Sequence, residues 1–406
     1  MFWMDPLPIA HVLSGAIGRR PWLKTTSFTI NLTCRHYSCA QLTMQQVRYQ
    51  PSARSQQDFA KAVRLNVNAY FKTNELSTKG DARMVVKSLV MLTLYLAPFV
   101  LLLTLPITGW AAVGCWLLMG VGMAGIGMCV MHDGVHGSAS KKTWVNDLLG
   151  GTMYLMGSSV LTWRIQHNGA HHTHTNIDTM DGDLDSRGLL RFSEHAPLKR
   201  IHRFQHLHAF FFYGLLTITK LVFDFITLVQ FNRDGNTQAQ KADPQREMAK
   251  LIVVKVIYLA VFIGLPLLFS ATSWWELLLG FVVMHFVASV ILGTVFQLAH
   301  IVEGAEQPLP NADGVVLNDW VIHEMNTTAN FARSNRFLTW FTGGLNHQIE
   351  HHLFPNVCHV HYSAISVIVE RTAHEHGVPY NHKPTFHGAL ASHVRRMKAL
   401  GRASVS

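Results

Sequence analysis

The chain has 406 residues, 49% of them hydrophobic and only 14% charged, with a formal net charge of +10. Soluble domains carry about 25% charged residues, so this composition excludes an ordinary soluble protein and points to a membrane. No basic motif accompanies the positive charge, which argues against a nucleic-acid partner and suits an anionic membrane leaflet.

Residues 1–43 contain arginine and serine but a single acid, Asp5. They read as an uncertain N-terminal extension, either an organellar transit peptide or a stretch ahead of a true start at Met44. Residues 44–87 follow as a polar N-terminal segment. Four stretches then have the length and apolarity of membrane helices, which need about 20 residues each. They are 88–105, 110–130, 251–270 and 277–299. The short connections "PITG" and "ATSWWE" turn them into two helical hairpins, with Trp110, Trp274 and Trp275 at the turns, where interfacial aromatics belong.

No lysine or arginine lies between Ser88 and Ser140 or between Val256 and Gln307. The positive residues fall in the N-terminal segment, the 140–250 region and the tail. By the positive-inside rule these share the cytoplasmic side. Two apolar segments remain. Residues 148–161 are too short to span, and 208–231 are interrupted by Lys220 and Asp224. Both are expected to lie at the interface or against the hairpins. The expected fold is therefore all-α, with four spans and a cytoplasmic helical cap. The membrane domain runs over 88–382 and a basic tail over 383–406.

Five cysteines, Cys34, Cys39, Cys115, Cys129 and Cys358, form no CxxC and are odd in number. They read as free thiols in a reducing compartment.

The 25 histidines are the chemical signal. "HDGVH" gives His132 and His136 after the second span. "HNGAHH" gives His167, His171 and His172 in the middle region. "QLAH" gives His300 at the end of the fourth span, and "QIEHH" gives Gln348, His351 and His352 in the tail. His132 and His136, and His167 and His171, sit four apart, and Gln348, His351 and His352 three and four apart, so on a helix each set shares one face, with His172 beside His171. The hairpin parity puts all four groups on one side of the membrane. Eight imidazoles exceed the four ligands of one structural zinc and suit two ions. Imidazole accepts Zn, Cu, Fe or Ni, while the scarcity of carboxylates argues against Mg or Ca. Any one group alone has a plainer reading: an interfacial pair, a polar loop, or a histidine favoured by a helix dipole. Their joint placement is what argues for metal. His174, His347, His359 and His361 read as neighbours. His202, His206 and His208 read as interfacial, and His285 as a packed residue within a span.

"HDGVH", "HNGAHH" and "QIEHH" resemble the three histidine boxes of the membrane fatty-acid desaturases. "NHQIEHHLFP", with glutamine opening the last box, is similar to the front-end subgroup, which places a double bond between an existing one and the carboxyl end. "HTNIDTMDGDLD" and "FQLAHIVE" add to the resemblance, which runs from about Val47 to about His382. It implies a di-iron centre held by His132, His136, His167, His171, His172, His300, His351 and His352, with Gln348 standing where other subgroups have a ligand histidine. It also implies O2 as co-substrate, a long-chain acyl-CoA or acyl-lipid substrate, and a delta-6-like reaction. Many front-end members carry a fused cytochrome b5 domain with "HPGG". That motif does not occur here, so electrons are expected from a separate cytochrome b5 or ferredoxin.

An unactivated methylene C–H is beyond any side-chain base, so the oxidising power must come from metal and oxygen. Metal-bound histidines usually donate their other N–H to a carboxylate or carbonyl. Asp133, Asp183, Glu303 and Glu350 are candidates, with the acidic stretch 178–185 otherwise a polar loop. Lys141, Lys142, Arg164, Arg187 and Arg191 are candidates for a headgroup site. A related di-iron lipid hydroxylase is the nearest rival. A metal transporter would need histidines inside the spans, and a haem protein would need them paired on facing spans.

Overall fold

The computed structural model describes residues 47–402, so the expectations for 1–43 lie outside the described residues. Among the described residues four helices are long and apolar enough to cross a membrane: α2 (Ala82–Thr104), α3 (Gly109–Val135), α6 (Pro244–Phe269) and α7 (Trp274–His300). They match the four predicted spans, α2 and α6 each ending one residue before the predicted end. α2 and α6 begin six or seven residues earlier than predicted, because the helices continue through the charged turns that carry Arg83, Lys87 and Arg246. Hydropathy reads only the part in hydrocarbon.

The spans pack closely where glycine removes a side chain. A Cβ on Gly120 would stand 2.7 Å from the Met284 carbonyl oxygen of α7, and one on Gly122 would stand 2.6 Å from the Tyr95 nitrogen of α2. Small residues allow this backbone approach in a membrane, where there is little hydrophobic force between helices. Met91, Tyr95, Trp116, Met119, Met123, Phe281 and Met284 fill the core between α2, α3 and α7.

The segment 208–231 does not form one straight span. Helices α4 (Arg200–Tyr213) and α5 (Leu216–Arg233) meet at 85°. The pair is fastened to α6 and α7. Thr217 Oγ1 is 2.8 Å from His285 Nδ1 and 2.7 Å from Ser289 Oγ, and Tyr258 OH is 2.8 Å from His285 Nε2. His285 is therefore a packed, hydrogen-bonded residue. The residues that interrupt the segment are partners of α6: Asp224 lies 2.8 Å from Lys255 Nζ and 3.2 Å from Lys220 Nζ. The other ambiguous stretch breaks into short turns, with Gly157 at φ +67°.

A cap of shorter helices covers one end of the spans. α1 (Arg54–Thr73) buries Phe59, Val63, Val67 and Phe71 against Ile349 and Leu353 of α9 (Gln348–Leu353) and Ile365 and Val369 of α10 (Tyr362–Glu375). α8 (Trp320–Thr327) completes this layer, and α11 (Phe386–Leu400) packs beside α4. Two parallel two-residue bridges, Arg48–Tyr49 with Val315–Val316 and Asn330–Phe331 with His382–Lys383, tie distant segments of the cap together.

Candidate metal centre

Each histidine group reaches the centre from a rigid element. The end of α3 departs from α geometry. Ile126–Met131 form a π-helical turn that passes directly into His132–Val135. A second π turn, Arg164–His171, carries His167 and His171. Its wider winding is visible in the bond from the His172 amide to the His167 carbonyl, five residues back, at 3.1 Å. Here the i, i+5 pair His167 and His172 is brought to one face as well as the i, i+4 pair. The sequence spacing had suggested ordinary α-helix; π turns of this kind concentrate at functional sites. His300 closes α7, and His351 and His352 lie on α9.

The eight predicted histidines meet as three overlapping groups. Ring nitrogens of His132, His136, His167 and His351 lie within 4.8 Å of one another; so do those of His171, His300 and His352, and those of His172, His351 and His352. His351 and His352, neighbours in sequence, join one group to the next. All eight are buried. The Nε2 atoms of His132, His136, His167, His171, His172 and His351 are buried without any hydrogen-bond partner. A buried imidazole nitrogen left unpaired costs free energy, and six converging ones make a cavity chemically suited to cations that prefer nitrogen. The residues present fit two metal ions.

Gln348 lies between two of these rings, its Nε2 3.1 Å from His300 Nε2 and 3.3 Å from His352 Nε2. An amide's oxygen and nitrogen exchange by a flip of the group, so this position serves a metal through oxygen or the imidazoles through nitrogen.

The outward nitrogens are held by acids. His167 Nδ1 is 2.8 Å from Asp183 Oδ2, and Gln166 Nε2 donates to Asp183 Oδ1 at 2.6 Å. His171 Nδ1 is 2.9 Å from Asp181, and His352 Nδ1 is 2.8 Å from Glu324 Oε2. His351 Nδ1 is 3.1 Å from Tyr362 OH. Each contact fixes the ring so that its Nε2 faces the centre. Burial alone would raise the Asp183 carboxyl, but the contact with His167 holds it well below its usual range. Burial pushes His167 down to about 4 and holds His172, His351 and His352 far below the ordinary histidine value. Neutral rings are the ligating form. His171 differs: burial opposes its charge, but the Asp181 carboxylate outweighs burial and raises it to about 9. Two apolar rings shield the centre, Trp163 stacked 4.3 Å from His167 and Phe296 5.1 Å from His171.

Of the acids expected to support the histidines, only Asp183 does so directly. Asp133 is 3.7 Å from His132 and turns instead to His359 Nδ1 at 2.8 Å and Cys358 Sγ at 3.0 Å. It thereby ties the first box to the tail. Glu350 faces away, accepting from Asn330 Nδ2 at 2.8 Å and Tyr380 OH at 2.9 Å, and burial raises it to about 7. Glu303 is exposed and paired with Arg395 at 2.6 Å. Glu324 and Tyr362 escaped the sequence reading. Both lie ten or more residues from the box they support, and only the acidic stretch around Asp181 gave a sequence signal. Arg191 is no headgroup ligand. It is buried, with its guanidinium on the carbonyls of Ala196 and Leu400 at 2.6 Å. Arg187 covers the Phe223 ring at 3.9 Å, whereas Lys141 and Lys142 are exposed.

Comparison with known proteins places relatives beside this geometry. The chain is 32% identical to the sn-1 linoleoyl-lipid 6-desaturase of Synechocystis sp. (strain ATCC 27184 / PCC 6803 / Kazusa), over 85% of this chain and 96% of that one. It is 32% identical to the enzyme of the same name from Arthrospira platensis, over 84% and 92%. It is 33% identical to the acyl-lipid (8-3)-desaturase of Physcomitrium patens, over 85% and 72%. The fatty acid desaturase pattern matches residues 108–384, from ahead of the first histidine box to beyond the last, and the chain belongs to the fatty acid desaturase family, as an integral membrane oxidoreductase.

Proposed function

We propose that this chain is a front-end acyl-lipid desaturase that inserts a double bond on the carboxyl side of an existing one, delta-6 in the manner of linoleoyl-lipid enzymes. The observation that carries the metal part is the convergence of buried imidazole Nε2 atoms with no partner. His132, His136, His167 and His351 would hold one ion. His171, His300 and His352 would hold the other, with His172 beside both His351 and His352 and Gln348 beside His300. Iron bound there supplies the oxidation of an unactivated C–H by O2, with two electrons from a separate cytochrome b5 or ferredoxin.

The chain's own part is to orient, exclude and position. Asp181, Asp183 and Glu324 hold three imidazoles by their Nδ1 atoms, which keeps each Nε2 directed inward. Trp163 and Phe296 keep water from the rings and offer an acyl chain an apolar wall beside each ion. The front-end assignment is supported by Gln348 at the head of the last box and by the activities for which the relatives are named. The basic 140–250 region and tail support a cytoplasmic active face.

The test is expression in a host that supplies a cytochrome b5 donor, with linoleate fed and total lipids derivatised for mass spectrometry. A triene with its new bond at carbon 6, absent from His352→Ala, is the expected product. A hydroxy acid would move the assignment to the hydroxylase reading, and protein recovered without iron or product would sink the di-iron reading.

A further inference from the structure

α4 carries a largely exposed apolar face along most of its length, its Phe211 end nearing Phe286 of α7 with ring centroids 6.2 Å apart. Ile201, Phe204, Leu207 and Phe211, spaced three, three and four apart, are 45%, 52%, 70% and 57% exposed. The opposite face, His202, Gln205, Ala209 and Tyr213, is buried. It is fastened to the protein: Gln205 Nε2 donates to the Met397 carbonyl at 2.9 Å, and Tyr213 OH is 2.9 Å from His393 Nε2. The helix is therefore fixed, and its exposed stripe is a presented surface rather than an unpacked core.

Cations collect at one end of the stripe. Lys199, Arg200 and Arg203 precede or interrupt its first turns, and the end of α11 brings Lys398 and Arg402 beside them; all five are exposed. His206 registers this assembly: besides burial, the charges of Arg402 and Lys398 lower it. None of the five is in an ion pair with a described acid. The neighbouring Arg395 and Arg396, by contrast, are paired with Glu303 and Glu194. Between Ser186 and Phe223 there is one acid, Glu194, and between Pro384 and Arg402 there is none.

We propose that this face of α4, with the cationic collar of Lys199, Arg200, Arg203, Lys398 and Arg402, is a docking surface for anionic phospholipids. The apolar stripe meets the acyl chains and the collar meets the phosphate headgroups. The argument is complementarity of two kinds on one short helix. Exposed leucine and phenylalanine beside unpaired cations match a lipid whose tail and headgroup are joined. Lysine and arginine near a surface are attracted to anionic headgroups. An acidic soluble protein would satisfy the cations but would leave four large apolar side chains with no equally apolar partner. The surface is independent of the metal centre and of the reaction assigned to it.

The test uses the metal-loaded enzyme in lipid nanodiscs, with Leu207→Trp as a reporter read as the difference from the parent, which already has ten tryptophans. Brominated phosphatidylcholine or brominated phosphatidylglycerol is added at equal mole fraction to an otherwise zwitterionic bilayer. Both lipids should quench the new emission, the anionic one about threefold more strongly, as unpaired cations at the headgroups require. That preference should fall to about one in Arg200→Gln/Arg203→Gln/Lys398→Gln/Arg402→Gln, and be halved in Arg200→Gln/Arg203→Gln should the fourfold variant fail to assemble. Equal quenching by the two lipids in the parent background would overturn the headgroup assignment. No quenching by either would overturn the docking surface altogether.

Discussion

Glu324 Oε2 lies 2.8 Å from His352 Nδ1, and both side chains are fully buried. The carboxyl also accepts from Thr175 Oγ1 at 2.9 Å, and that hydroxyl lies 3.2 Å from the same histidine nitrogen. Burial raises the Glu324 carboxyl well above its ordinary range, with Thr175 working against it. The His352 contact is thus a link between a buried acid and a ring whose other nitrogen faces the centre. Outer partners of this type alter metal affinity or activity by about 10–100-fold. Glu324→Ala is expected to lower iron per chain and desaturation by about that factor, and Glu324→Gln by less, because its amide oxygen still accepts from Nδ1–H. Iron analysis beside product yield checks this; an Ala variant with full iron and full turnover would show the contact to be incidental.

That acid marks the limit of what the sequence displays. The four spans were legible because hydropathy is a local property, and the boxes because their ligands sit three to five residues apart. The π turns under two boxes were not, since a π turn and an α turn present the same residues. Glu324 and Tyr362 support box residues 28 and 11 positions away, a pairing set by the tertiary fold. The acids nearest the boxes misled: Asp133 and Glu350 are taken by His359, Cys358, Asn330 and Tyr380. Lys220 and Asp224 interrupt an otherwise apolar segment, and their partner Lys255 lies within the third predicted span. The three charges explain one another only once α5 lies against α6.

The groups overlap unequally, so histidine substitutions should not be equivalent. His351 belongs to the group of His132, His136 and His167 and also to that of His172 and His352, whereas His300 belongs only to that of His171 and His352. His351→Ala is expected to lower both ions, leaving well under one iron per chain. His300→Ala and His136→Ala should each leave about one. Iron counting on purified protein, normalised to protein in the membrane fraction, distinguishes the patterns. Equal loss in all three variants would mean that the ions bind only as a pair.

Asp224 is buried between Lys255 and Lys220 and also accepts from Ser158 Oγ at 3.0 Å. Removing one partner of a buried ion pair leaves an uncompensated charge and costs about 3–5 kcal/mol. Asp224→Asn is therefore expected to lower the thermal midpoint strongly in detergent. Asp224→Leu combined with Lys255→Met should recover most of the loss, since apolar replacement of a whole buried pair is often neutral. A single variant as stable as the parent would mean that water already reaches the pair.

Acid should weaken the folded state through histidines that are buried uncharged away from the predicted ligands. Burial lowers both His323 and His393 to about 4, from an ordinary value of 6.5. Their folded values lie below their unfolded ones, so under pH 6.5 the unfolded chain binds more protons. Stability therefore falls as pH drops from about 6.5 towards 4, by on the order of 3 kcal/mol per histidine, and these two groups contribute no slope above pH 7. His323→Phe keeps an apolar ring in place and removes one titration. It should flatten the fall of the thermal midpoint between pH 6.5 and 5 relative to the parent, measured by intrinsic fluorescence on metal-free protein. Parallel curves for the two proteins would show that His323 is already protonated, or reachable by water, in the folded state.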